Sequence, residues 1–388
     1  TTQAPTTATT QAPTTATTQA PTTTTTAAQV SGSRPDIQPV SYWEAKFDTS
    51  AVQAQCNQRI ADLQTSTYGS HALYRSAYSC FDGLVAMWRA TNDTQYLDIA
   101  LNHVEQAISL ARPRSGQYSD DFRGWEAFNT GTEQSLREAY LWRYVTVMLR
   151  EMSERPTLLA QGNYQQRYDA ILSFTETHVY TKWRTRTGYT DIYRSRTHMT
   201  SHWGHICMNL QRIATSATIR TECAEVVRQI NNGMAAYGGA GLRTQLTAWQ
   251  GSPGALHWSA EWGYTPEQRG YSNDTNHGSA EVGYMVEAFD YGHDFTQAEL
   301  NGLLVLTHER ILPTGTSTPP AWITPPSAAP YSPPSSYGNL FTEGFVKLGR
   351  HDVELQQKLE AYVNKDRGAG QLAGNGALNA AILLGESH

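Results

Sequence analysis

Apolar side chains recur at spacings of three and four residues along most of the chain after residue 40. This is the period of an α-helix with one buried face, and clusters of Gly, Pro, Ser and Thr separate one periodic segment from the next. Only short pieces near 187–193 and 243–249 alternate as strands do. The pattern therefore predicts an all-α fold with about eleven helices, at 49–64, 71–91, 95–111, 131–153, 163–181, 198–214, 219–236, 278–291, 296–311, 342–364 and 374–385.

Helices that follow one another through short turns pack as antiparallel hairpins. About eleven such helices in series is the pattern of an (α/α) toroid or barrel, in which long loops at one face form a cleft. We therefore predict a toroid of sequential helical hairpins whose functional groups lie on the long loops, which are 113–130, 183–198, 238–277 and 312–341.

The N-terminal segment has a different composition from the rest. It repeats TTQAPTTA and runs into a Thr tract without charge, so it cannot bury enough apolar surface to offset the entropy of folding. The sequence predicts a Thr/Pro-rich disordered linker at 1–30 and a single toroid catalytic domain at 31–388. Such tracts are typical of extracellular proteins, so we expect a secreted protein whose linker joins an upstream module.

Charge and hydropathy exclude some partners. The formal net charge is −6, which argues against a broad cationic surface for nucleic acid. No apolar run is long enough to span a bilayer, so we expect no membrane partner. Only 16% of the residues are charged, whereas 10 Trp and 21 Tyr supply flat amphipathic side chains of the kind that suit sugar rings.

The four cysteines lie in two pairs around predicted turns. In a helical hairpin, residues equidistant from the turn face each other within reach of a disulfide. We predict the disulfides Cys56–Cys80 and Cys207–Cys223, which an oxidising compartment favours. The alternative is four buried thiols.

Positive charge is concentrated on one stretch of this acidic protein. KWRTRTGYTDIYRSRTH begins at Lys182 and contains Arg194 and Arg196, and a guanidinium can bind a carboxylate through two parallel hydrogen bonds. The alternative is a solvated loop. Three histidines follow at i, i+4 and i+7, a spacing that fits a metal site or the wall of a cleft. No carboxylate accompanies them within the helix, so we expect no metal and no cofactor. These histidines are His198, His202 and His205.

Acidic residues allow a competing enzyme class. A glycoside hydrolase needs two carboxylates that flank its cleft at a set separation. Candidates in loops or at helix starts are Asp120, Asp121, Glu126, Glu261 and Asp274.

The stretch YSNDTNHGSAEVGYMVEAFD, residues 271–290, combines a polar cluster with a helix. One interpretation is a cap, in which Asp274, Asn276 or Ser279 accepts the free N–H groups and His277 lies in the first turn. The other is an Asn–His pair that contacts a ligand. The two interpretations are compatible, because helix N-termini favour anions.

Serial hairpins, the pair Asn276–His277 and a Tyr-bearing loop some fifty residues later resemble the toroid polysaccharide lyases. Within them the chain most resembles polysaccharide lyase family 38, which acts on uronic-acid polymers such as glucuronan and alginate. The resemblance implies that Asn276 neutralises the sugar carboxylate, that His277 assists or acts as base, and that a tyrosine of lowered pKa moves the proton. Tyr331 is the first choice for this tyrosine, Tyr337 the second and Tyr284 the third.

One member of the family pattern is missing, because residues 311–349 contain no Arg. Arg196 or Arg269 would then supply the guanidinium from another loop. The expected substrate-binding residues are His202, Trp203, Arg194, Arg123, Trp125 and Arg269.

The sequence thus predicts a secreted lyase that cleaves an anionic polysaccharide by β-elimination. Two alternatives stay open: an inverting glycoside hydrolase on the same toroid, and a carbohydrate-binding protein without catalytic activity.

Overall fold

Helices make up most of the chain in the computed structural model, which describes residues 36–65, 69–113, 118–127, 130–266, 273–313, 318–324, 333–362 and 368–386. The predicted all-α class is confirmed. The predicted linker at 1–30 lies outside the described residues. The helices are α1 (Val40–Lys46), α2 (Thr49–Gln64), α3 (His71–Ser76), α4 (Asp82–Thr91), α5 (Thr94–Ser109), α6 (Ser135–Ser153), α7 (Pro156–Leu159), α8 (Tyr164–Phe174), α9 (Lys182–Thr187), α10 (Thr197–Ile213), α11 (Ala217–Asn232), α12 (Leu242–Gln245), α13 (Thr275–Asp290), α14 (Gln297–Leu306), α15 (Val353–Ala361) and α16 (Ala369–Leu384).

Wide π-type turns extend several helices. Ala77–Phe81 joins α3 to α4, Thr175–Thr181 joins α8 to α9, and Thr307–Ile311 continues α14. The helical periodicity therefore runs through these segments unbroken, as the predicted ranges 71–91 and 296–311 require.

The helix predicted at 342–364 is wrong as a single element. Tighter 3-10 turns occupy Ser335–Glu343 and Phe345–His351, and α15 begins only after Asp352, whose side chain accepts the backbone N–H of Leu355. The interruption falls at Gly344, where a Cβ would overlap the backbone of α13 at Ser279 and Gly283. Close contact between two backbones thus replaces helix continuity here.

Short antiparallel strand pairs lie in two of the predicted loops. β1 (Arg112–Pro113) pairs with β2 (Arg123–Gly124), β3 (Glu126–Ala127) with β4 (Thr132–Glu133), and β5 (Thr247–Ala248) with β6 (Leu256–His257). The strand piece expected near 243–249 is thus present at its C-terminal end.

The other expected strand piece, near 187–193, is a turn. The backbone N–H groups of Ile192 and Tyr193 both donate to the carbonyl of Tyr189, and Tyr189 itself has a φ of 72°.

Helix α10 is the element that the candidate site depends on most, because it packs against α6, α11 and α13. Helix α16 packs against α4 and α1. Residues 35–388 form one compact unit. No helix among the described residues is both long and apolar enough to cross a membrane.

A buried charge network links these helices. The ammonium of Lys347 lies 3.0 Å from Asp82 of α4 and 3.5 Å from Glu287 of α13, and it donates to Asn375 of α16 at 3.1 Å. Arg350 lies 2.9 Å from Asp290. Removing one member would leave an uncompensated charge in the core, which costs about 3 to 5 kcal/mol.

The cysteine pairing is confirmed for one pair only. Cys56 and Cys80 form a disulfide with 5.6 Å between their Cα atoms. Cys207 and Cys223 are buried free thiols, so the second predicted disulfide is wrong in this structure. Their side chains do meet between α10 and α11, where burial and a hydrogen bond to Cys223 raise the pKa of Cys207.

Thiol titration tests this assignment. In denaturant without reductant, two thiols per chain should react, and all four should react after reduction. Absence of reactive thiols before reduction would show that Cys207 and Cys223 are also oxidised, and four would show that the Cys56–Cys80 bond is absent.

Candidate active site

A cavity of about 320 Å³ lies where the first turns of α6, α10 and α13 come together. Backbone N–H groups at helix starts have no partner within the helix and carry partial positive charge, so they favour an anion. The cavity is lined by Leu136, Arg196, His198, Met199, Ala260, Asn273, Asp274 and His277.

A second cavity, of about 460 Å³, adjoins the first and shares Leu136 and Met199 with it. Its wall includes the aromatic rings of Tyr118 and Trp183 and the charged side chains of Glu133, Asp191 and Arg194. The two cavities therefore offer room for a ligand longer than one ring.

The carboxylate of Asp274 fixes the orientation of the His277 ring. One oxygen accepts the backbone N–H of His277 at 2.9 Å and so caps α13, and the other lies 2.7 Å from the ring Nδ1. Because a carboxylate only accepts, Nδ1 carries the proton and Nε2 has a free lone pair. Asp274 is buried, whereas a third of the His277 side chain is exposed at the cavity. Nε2 makes no hydrogen bond with the described residues.

Two rings hold the imidazole of His277 in place. The ring of His198 packs against it with centroids 4.2 Å apart, and the ring of Tyr337 meets it edge-on at 5.9 Å. Burial, together with the charge of His277, lowers the pKa of His198 well below its ordinary value. His198 is therefore neutral and adds no charge to the site.

The tyrosines beside His277 and Asn276 have raised pKa values. Burial and the negative charge of Asp274 raise the pKa of Tyr337, and burial with Tyr78 and Tyr337 nearby raises the pKa of Tyr74 to about 12. The expected lowered pKa is thus wrong for Tyr337. A tyrosine of raised pKa suits the donation of a proton better than its removal.

The two asparagines at the start of α13 have different surroundings. Asn276 is buried and hydrogen-bonds to Tyr74, whereas Asn273 lines the cavity. The side-chain nitrogen of Asn273 donates to Glu281 at 3.0 Å, and its buried oxygen has no hydrogen-bond partner among the described residues. Asn273 is therefore a second candidate for contact with a ligand.

Glu281 holds Asn273 and the start of α10 in place. The carboxyl group accepts from the hydroxyl of Thr197 at 2.5 Å, from Asn273 and from the indole of Trp258, so it ties the start of α10 to α13. Burial raises the pKa of Glu281 well above its ordinary value.

Several predicted substrate-binding residues are part of the core instead. Trp203 and His202 are fully buried, and His202 accepts a hydrogen bond from Arg143 at 3.2 Å. Trp125 is buried with its indole N–H on the carbonyl of Ala107, and the guanidinium of Arg123 donates to the carbonyls of Ile108 and Ala111. Helical spacing and residue type do not reveal which face is buried, so these assignments are corrected to structural roles.

Other predicted residues lie at the cavities or outside the described part. Arg196 lines the first cavity 2.9 Å from Glu261, and Arg194 lines the second 2.5 Å from Asp191. Tyr284 is buried and donates to Asn231, which excludes it as the reacting tyrosine. Tyr331 and Arg269 lie outside the described residues.

The carboxylates do not form the expected pair. Asp274 is the acid that lines the first cavity among the described residues, and it is bound to His277. Asp120 is held by two hydrogen bonds from Arg186, which lower its pKa. Glu261 is paired with Arg196.

Metal-ligand geometry among the described residues is met by one group, Cys56, Cys80 and His103. Its two sulfurs are joined in a disulfide, so they are not free to bind a metal.

Sequence reasoning missed Asn273, Tyr74, His198 as a stacking partner, and Glu281. The spacing of Asp274 and His277 was a usable signal, because an N-cap acid and a histidine three positions later share one helix start. The contact between Tyr74 and Asn276 has no signal in sequence, since 202 positions separate them. Comparisons with protein-family models, curated proteins and solved structures find no match.

Two substitutions of Asp274 separate its two roles, which are to cap α13 and to fix the tautomer of His277. Asp274→Asn keeps a side-chain oxygen for the cap, but its amide N–H would donate to Nδ1 and move the imidazole proton to Nε2. Asp274→Ala loses the cap, and we expect it to lower the free energy of unfolding by about 1 to 2 kcal/mol in urea titrations. Histidine nitrogen NMR should show the tautomer change in Asp274→Asn. Equal stability of Asp274→Ala and the wild type would contradict the capping role.

The raised pKa of Glu281 makes the free energy of unfolding depend on pH. Its folded pKa is raised above the ordinary 4.5, so above that pH the folded chain holds a proton that the unfolded chain has lost. The stability contributed by Glu281 therefore falls as pH rises, by about 1.4 kcal/mol per pH unit. We expect the free energy of unfolding of Glu281→Gln, relative to the wild type, to improve from about pH 5 to pH 7. A difference that is independent of pH would contradict the raised pKa.

Proposed function

We propose that this protein is a polysaccharide lyase that cleaves a uronic-acid polymer by β-elimination. The observation that carries the proposal is His277: its Nδ1 is fixed by a buried carboxylate, and its Nε2 is free at a cavity formed by the N-termini of α6, α10 and α13. A base thus lies in an environment that favours anions.

The reaction removes the proton at C5 of the sugar, next to its carboxylate. The electron pair of the C5–H bond becomes the C4=C5 double bond, the C4–O4 bond breaks, and O4 leaves with its electron pair and takes up a proton. Negative charge develops on the carboxylate before O4 departs. Fixed donors around that carboxylate lower the barrier.

The described residues divide these tasks. His277 Nε2 accepts the C5 proton, and Tyr337, whose pKa is raised, donates to O4. Arg196, with the helix N-termini, neutralises the substrate carboxylate. Asn276 supports the wall through Tyr74. Neither a metal nor a cofactor enters this scheme.

The hydrolase alternative has less support. It needs an acid and a second carboxylate facing the same bond. Among the described residues the first cavity offers Asp274 alone, and that carboxylate is engaged with His277.

We also propose the architecture and context that this function implies. Sequential antiparallel contacts between neighbouring helices, as between α10 and α11, support an (α/α) toroid for the catalytic domain. The Cys56–Cys80 disulfide supports secretion, with the Thr/Pro tract as a linker to an upstream module.

The test is the ultraviolet absorbance of the conjugated C4=C5 product, with glucuronan, alginate, pectate and hyaluronan in separate reactions, with and without a chelator. A rise on one polymer supports elimination and names the uronic acid. New reducing ends without absorbance would favour the hydrolase, and binding without either signal would favour a carbohydrate-binding protein.

Variants of the Asp274–His277 pair test directly whether His277 is the base. We expect His277→Ala and Asp274→Asn each to lower kcat by about a hundredfold or more, because the first removes the base and the second places a proton on it. The matched control is His351→Ala, which breaks another His–Asp pair, 2.7 Å from Asp290, outside the cavity lining. Unchanged kcat in His277→Ala, with a normal unfolding transition, would reject the assignment of the base.

A further inference from the structure

Arg137 is a half-buried cation without a carboxylate partner among the described residues. It lies in the first turn of α6, and its one side-chain hydrogen bond is to the hydroxyl of Ser70 at 3.5 Å. Burial lowers its pKa, and no anion offsets that cost. Three other partly buried arginines have carboxylate partners: Arg186 with Asp120 and Glu133, Arg167 with Asp98 and Glu105, and Arg89 with Glu151 and Glu287.

Arg137 lies beside the candidate site. The preceding residue, Leu136, lines both cavities. One turn further along α6, the ring of Tyr140 packs against Tyr74 with centroids 4.3 Å apart, and Tyr74 bonds to Asn276 next to His277. Arg137 and Tyr140 are three positions apart on α6, so both side chains lie on the face of α6 that meets α3 and Tyr74.

The surroundings of Arg137 add positive charge. The pKa of His71 is lowered by burial and by the nearby charges of Arg137 and Arg75. Neutral His71 adds no charge, so the guanidinium of Arg137 makes this part of the surface a locally positive wall on a chain whose net charge is −6. A polyanion approaching the cavity would be attracted to this wall.

We infer that Arg137 binds the carboxylate of a sugar adjacent to the one that reacts at His277. A guanidinium presents two parallel N–H groups that match a carboxylate, and a partly buried position makes that pair stronger than it is in water. A polymer of acidic sugars supplies a second carboxylate next to the reacting unit. This inference rests on the proposed function and assigns Arg137 as a specificity-determining residue.

The kinetic test compares Arg137→Ala, Arg137→Lys and Arg228→Ala with the wild type on the polymer that gives the ultraviolet signal. Arg228 is exposed and paired with Glu225, so its removal controls for the loss of one positive charge. We expect Arg137→Ala to raise KM by about tenfold to a hundredfold with little change in kcat. Arg137→Lys should recover part of the loss, and Arg228→Ala should match the wild type.

Binding separates this inference from the proposed function. Calorimetry with an acidic trisaccharide and a neutral one of the same linkage needs no turnover. Weaker binding of the acidic sugar alone by Arg137→Ala supports the inference even if no polymer is cleaved. The inference is overturned if Arg137→Ala retains wild-type KM and affinity, if it lowers kcat alone, or if the wild type binds no acidic sugar. Should Arg137→Ala fail to fold, Arg137→Lys takes its place in both tests, because a lysine cannot bind a carboxylate through two parallel hydrogen bonds. The same outcomes then support or overturn the inference.

Discussion

The buried carboxylate of Asp274 is the interaction on which the candidate site depends. It caps α13 and orients the ring of His277 in a single step. A cap alone is worth about 1 kcal/mol and would be satisfied by Ser or Asn. The second oxygen adds what those residues cannot, which is a fixed tautomer with a free Nε2. Local helix stability and the chemistry of the site therefore rest on the same group.

Helix starts create the electrostatic environment of the cavity. The first turns of α6, α10 and α13 meet there, and the buried carboxyl group of Glu281 ties the start of α10 to α13. The partial positive charge of the helix starts and the guanidinium of Arg137 favour an anion.

Contacts between neighbouring residues at the start of α13 were predictable from the sequence, whereas contacts between distant residues were not. His277 in the first turn of α13 and Asp274 as its cap follow from residues three positions apart. Trp203 and His202 were expected at the cleft because of their residue type, but α10 is buried on nearly every side, so its periodicity did not distinguish core from cavity. Tyr74 and Asn273 acquire their importance only from contacts made by folding.

The sequence alone determined the helical class, most helix ranges, the Cys56–Cys80 pairing and the helix start that carries Asn276 and His277. These features depend on spacing within one helix or one helical hairpin, which the order of residues specifies directly. Tertiary structure decided the break at Gly344, the free state of Cys207 and Cys223, the raised pKa of Tyr337 and the lack of a carboxylate partner for Arg137 among the described residues. Each of these depends on which helices come into contact and how much water they exclude, and neither quantity is encoded in local spacing.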